Sequence, residues 1–140
     1  MNAPEDAAAQ WAEAGRRLAK ADEDIAVAEL ELGREPPLTE PAAFHCQQAA
    51  EKILKALLVA AGAAPARSHD MERLVQAAAL LYPTLGDKMQ AFARLTEWLT
   101  ASRYPDLGGG LGEAPIDVAD MLALIKAFGR DVRAVAPFRV

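Results

Sequence analysis

Residues 44–58 read FHCQQAAEKILKALL, and this stretch decides the fold. Pro41 stands just upstream, where a first helical turn has no use for its missing N–H. Gly62 stands just beyond, a residue type that commonly ends helices. The expected helix therefore runs from Pro41 to Ala61. At 3.6 residues per turn, Cys46, Ala50, Ile53, Leu54, Leu57, Leu58 and Ala61 share one broad apolar face. Gln47 and Glu51 lie one turn apart at its edge. Lys55, Gln48, Lys52 and His45 follow around the wheel. A core stripe is thus flanked by an ordered polar strip. Read blandly, that strip is a solvated face in which Glu51 and Lys55 form an i,i+4 pair of roughly 0.2–0.5 kcal/mol.

Upstream, Trp11, Ala14, Leu18, Ala21, Ile25, Ala28 and Leu32 recur in steps of three and four, the seam of a long amphipathic helix. It is expected over 6–33, ended by Gly33 and the Pro36-Pro37 pair. Arg16, Arg17, Lys20, Asp22, Glu23 and Asp24 fall off the seam. Downstream, a third helix is expected over 69–81, capped by Ser68 and halted by Pro83. Met71, Leu74, Val75, Ala78 and Leu81 form its inward set. A fourth helix is expected over 85–101, with Leu85, Met89, Phe92, Leu95 and Leu99 inward and Trp98 beside them. A fifth, over 115–135, carries the stripe Val118, Met121, Leu122, Ile125, Phe128, Val132. No stretch alternates like a strand. The expectation is one all-α domain, a five-helix antiparallel up-and-down bundle.

Composition narrows the function. The chain of 140 residues suits one domain with a sizeable core. A net charge of −5 argues against broad nucleic-acid coating, which needs a basic surface to release counterions. The single cysteine, Cys46, excludes a disulfide framework and a cysteine-based metal site. The N-terminus has neither the basic nor the apolar region of a signal peptide. No apolar run approaches the length of a membrane span. A reducing cytoplasm is the expected location.

Three segments resemble one family. Phe44-His45-Cys46-Gln47-Gln48-Ala49-Ala50-Glu51-Lys52 and the leucines after it look like the signature helix of HEPN domains (higher eukaryotes and prokaryotes nucleotide-binding). Ser68-His69-Asp70-Met71 resembles that family's Thr-His-Asp-Leu segment, and Ser102-Arg103-Tyr104-Pro105-Asp106 its Arg-Tyr-Pro segment. The three occur in the family's order, and the resemblance covers roughly residues 8–136. It implies a helical bundle shared with the C-terminal domain of aminoglycoside nucleotidyltransferases, and a two-fold homodimer.

The resemblance also implies a nucleotide or an RNA end as ligand, ATP and GTP being the first to consider. It further implies a separately encoded small nucleotidyltransferase as partner, in an arrangement like a toxin–antitoxin pair. The phosphate-binding candidates at motif positions are His45, Gln48, Lys52, Lys55, Arg103 and Tyr104. Gln47, Glu51, His69 and Asp70 are structural or secondary candidates.

Catalysis is not expected. Family members that cut RNA carry an Arg and then a His, with four to six residues between them. Arg103 is the matching arginine, and positions 108–110 downstream are all glycine. The glycine-rich loop at 105–114 lacks the Gly-x-x-x-x-Gly-Lys-Ser/Thr of a phosphate loop. Neither a metal site nor a cofactor is expected, since the two histidines lack convergent ligands at helical spacing. The alternatives are a divergent metal-independent ribonuclease built on Arg103 and a histidine, or a pure protein-interaction dimer.

Overall fold

The computed structural model describes residues 4–63, 70–93 and 117–137. Helix α1 spans Pro4–Leu32 and α2 spans Thr39–Ala60. Helix α3 spans Met71–Leu81. A 3-10 turn at Pro83–Leu85, the short helix α4 at Gly86–Met89 and a second 3-10 turn at Gln90–Phe92 follow. Helix α5 spans Val118–Val135. Among the described residues there is no strand, and the fold is an all-α bundle.

Helix α2 is the spine. It packs along α1 over most of its length and also touches α3 and α5. Small residues are buried on both helices: Ala14, Ala21 and Ala28 on α1, and Ala42, Ala43, Ala49, Ala50 and Ala56 on α2. Small side chains let two helix axes approach closely. Around this strip lie Leu18, Ile53, Leu54 and Leu57, with Leu74, Met89, Phe92, Ile125 and Phe128 from the later elements, all fully buried. The Phe92 and Phe128 rings pack with centroids 5.2 Å apart.

The helix ends follow from local chemistry. Pro41 lies within the first turn of α2 rather than opening it, because Thr39 and Glu40 already have helical geometry. At the other end Gly62 takes φ 79°. Its N–H donates to the Val59 carbonyl at 2.9 Å, and the Ala63 N–H donates to the Leu58 carbonyl at 2.9 Å. These two bonds form a Schellman closure, which needs a left-handed residue at the position of Gly62.

Besides shifts of one or two residues at the ends of α1 and α2, three boundaries differ from the sequence-based expectation. Helix α3 begins after Asp70, whose carboxylate accepts the Glu72 N–H at 3.0 Å. An aspartate at that position satisfies a donor that the first turn leaves open. Ser68, the expected cap, lies outside the described residues. Helix α5 begins after Asp117, whose side chain accepts the Asp120 N–H at 3.0 Å, rather than at 115. The expected long helix from 85 starts instead as the three short turns at 83–92. Pro83 and Gly86 both weaken regular helix there. Buried Leu85, Met89 and Phe92 hold the segment to the core. The rest of that expected helix, with Leu95, Trp98 and Leu99, and the loop 105–114 lie outside the described residues.

A candidate polar site between α1 and α2

The off-seam charges of α1 are not idle. Asp24 and Glu31 lie seven residues apart on one flank of the helix, and so do His45 and Lys52 on α2. Seven residues are two turns, so each pair stands on one side of its own helix. The two helices run antiparallel and bring these pairs face to face. Asp24 Oδ1 lies 3.3 Å from His45 Nδ1, and Asp24 Oδ2 lies 2.5 Å from Lys52 Nζ. Glu31 Oε1 lies 3.7 Å from His45 Nε2. Each ring nitrogen of His45 therefore faces a carboxylate. The ring is also braced edge-on by Phe44, centroids 5.5 Å apart.

The opposite flank of α1 repeats the device. Asp22 and Glu29, again seven apart, meet Arg133 and Lys126 of α5 at 2.8 Å and 2.7 Å. Helix α1 is thus an acidic-edged helix held between two helices with basic edges. The two flanks differ in burial. The Asp24 side chain is 13% exposed and that of Asp22 is 55% exposed. The first flank therefore works in a lower effective dielectric, where charge interactions are stronger.

Gln48 stands between His45 and Lys52 on the same column of α2. Lys55 lies one turn further and is drawn inward: its Nζ is 3.0 Å from Glu51 Oε1, and the two side chains are 15% and 6% exposed. Glu51 is buried and Lys55 part-buried, so this is not the solvated i,i+4 pair of the bland reading. Gln47 is half-buried. Asp70 caps α3 and sits outside this cluster. His69, Arg103 and Tyr104 lie outside the described residues. The structure therefore gathers His45, Gln48 and Lys52 into one part-buried column.

Asp24 and Glu31 are the residues that a reading of α2 alone misses. Their one sequence signal is the spacing of seven, which matches that of His45 and Lys52. The charge balance then changes meaning. Two carboxylates meet one ammonium and a histidine that carries at most one further charge. Behind them Cys46 is buried, and its thiol is pushed up from 9.0 to about 11, by burial first and by the charge of Glu31 second. A thiol held neutral is a poor nucleophile. Among the described residues no group of three or more His, Cys, Asp or Glu side chains is arranged to hold a metal ion. No described helix is long and apolar enough to cross a membrane.

The described residues thus form an all-α bundle whose central helix carries a part-buried polar column. The model of one family, the HEPN domain, matches residues 14–134, and the chain belongs to that family. No curated protein and no solved structure matches the chain.

Proposed function

We propose that this chain is a non-catalytic nucleotide-binding module of the HEPN kind. It acts as a homodimer and serves as the accessory half of a pair with a separately encoded small nucleotidyltransferase. The ligand is a nucleotide or an RNA end, held through its phosphates by His45, Gln48 and Lys52, with Arg103 and Tyr104 as further contacts. Lysine and a protonated imidazole both donate charge-assisted hydrogen bonds to phosphate oxygens.

The observation that carries the non-catalytic reading is the setting of His45. A general acid or base needs a ring nitrogen free to exchange a proton with the reacting group. Nδ1 of His45 pairs with Asp24, and Nε2 faces Glu31 at 3.7 Å, too far for a hydrogen bond, so a substrate would meet a carboxylate at either ring nitrogen. In the sequence, no arginine precedes either histidine at the spacing of the RNA-cutting members. Family membership supports nucleotide recognition in general terms.

A thermal-shift titration with ATP and GTP tests the ligand. A nucleotide at 100 times its Kd adds about 2.7 kcal/mol of stability, and Lys52→Ala should reduce the shift. No shift with any nucleotide at millimolar concentration would overturn nucleotide binding. Light scattering tests the dimer, and a monomer mass would refute it. Metal-independent RNA cleavage that disappears in Arg103→Ala would replace the proposal with the ribonuclease reading.

A further inference from the structure

Asp24 already occupies the place that a phosphate would take. Its two carboxylate oxygens reach the two donors of the proposed site, one to His45 Nδ1 at 3.3 Å and the other to Lys52 Nζ at 2.5 Å. Those donors sit two turns apart on α2, about 10.5 Å along the axis. The ammonium of Lys52 must therefore reach back along α2 to share a carboxylate with His45. Glu31 adds a second negative charge 3.7 Å from the far nitrogen of the ring. A further anion cannot simply be added to this cluster. Lys52 is engaged, and the incoming charge would meet two carboxylates.

We infer that Asp24 is an internal competitor for the anion, so that the site takes a phosphate by exchange for the Asp24 carboxylate. This rests on the proposed nucleotide-binding reading and goes one step beyond it, to the residue that sets affinity and selects among anions. A terminal phosphate carries up to two negative charges and three acceptor oxygens. It replaces both hydrogen bonds of Asp24 and leaves an oxygen for Gln48. A singly charged carboxylate ligand offers Lys52 and His45 no more than Asp24 does. The site thus discriminates for phosphate esters of high charge. Lys52 is 37% exposed and His45 28%, so both donors can be reached from solvent, while Asp24 is 13% exposed.

The test is isothermal titration of ATP, with acetate as the singly charged control, into the wild-type chain, Asp24→Asn and Asp22→Asn. Asp24→Asn keeps the shape and removes the competing charge. It should tighten ATP binding at least tenfold, with a steeper dependence on salt. Asp22→Asn removes the same charge from the opposite flank of α1, and ATP affinity there should stay within twofold of wild type. Adding Lys52→Met to Asp24→Asn should abolish the gain. Should Asp24→Asn fail to fold, Asp24→Ser serves the same purpose, with circular dichroism confirming the helices. ATP binding to wild type that is unchanged or weaker in a folded Asp24 variant overturns the exchange and leaves nucleotide binding standing. Absence of ATP binding in both wild type and the folded Asp24 variant overturns both.

Discussion

Asp24 on α1 and Lys52 on α2, 28 residues apart in the chain, are joined across the helix interface, carboxylate to ammonium at 2.5 Å. The same carboxylate holds His45. One α1 side chain thereby sets the register of α2 at two points. A part-buried partner left alone retains its desolvation penalty without compensation. Asp24→Ala should therefore cost about 2 kcal/mol, a figure reduced for the partial exposure of Lys52. Urea denaturation checks it, and a loss below about 0.5 kcal/mol would show that this pair does not register the helices.

The outer flank predicts the contrast. Asp22–Arg133 and Glu29–Lys126 are partly exposed. Exposed pairs contribute about 0–1 kcal/mol and are screened by salt. Asp22→Ala should lower stability by less than about 1 kcal/mol in dilute buffer and by almost nothing in 1 M NaCl. Paired melts at the two salt concentrations decide it.

Cys46 gives a pH signature. Its folded-state value is raised from 9.0 to about 11, so the fold favours the neutral thiol. That contribution is complete below pH 9.0 and is lost as the pH rises toward about 11. Two units correspond to about 2.7 kcal/mol. Tyr82, raised by burial, acts in the same direction. Urea midpoints at pH 8 and pH 10.5 should therefore fall apart in the wild type, and by less in Cys46→Ala. A thiol reagent at neutral pH should label Cys46 only when urea unfolds the chain.

Gly129 lies in the interior of α5 and is buried, a setting in which a new side chain usually clashes. A Cβ built there would meet Ile53 Cδ1 at 3.7 Å and Arg133 Nη1 at 3.8 Å, which are ordinary contacts. Glycine in a helix interior is less favourable than alanine by about 1 kcal/mol. Gly129→Ala should therefore stabilise the protein by about 0.5–1 kcal/mol. A lowered melting temperature would show that α5 packs more tightly on α2 than these distances allow.

Phe92 and Phe128 join the short turns after α3 to α5, and both are fully buried. Phe92→Ala should cost about 3–5 kcal/mol through lost burial and the cavity left behind. Phe92→Leu should recover much of it. Equal losses in the two variants would point to a specific ring contact rather than to volume.

Periodicity made the inward faces legible in the sequence. Steps of three and four place Trp11, Leu18 and Ala28 on one side of α1 and Val118, Ile125 and Phe128 on one side of α5, and all are buried. Gly62 could be read as a stop because a left-handed residue is a local requirement. The capping residues Asp70 and Asp117 were less legible, since Ser68 and Pro115 are equally good signals a few residues earlier. The polar strip on α2 was visible as residues but not as a site. Glu51 and Lys55 look like a surface pair on a wheel, yet in the bundle Glu51 is buried and Lys55 part-buried.

By itself, the sequence determined that the described chain is helical, most of the inward faces of α1, α2, α3 and α5 (Leu81, expected inward, is 46% exposed), and which family the chain belongs to. All three are carried by short-range spacing. The tertiary structure alone decided that Asp24 and Glu31 meet His45 and Lys52, and that Asp22 and Glu29 meet Arg133 and Lys126. Those pairings depend on the antiparallel register of α1 against two other helices. That register rests on packing and pairing over long chain separations, where buried small residues such as Ala21, Ala28, Ala42 and Ala49 leave room for close approach, and no local period encodes it.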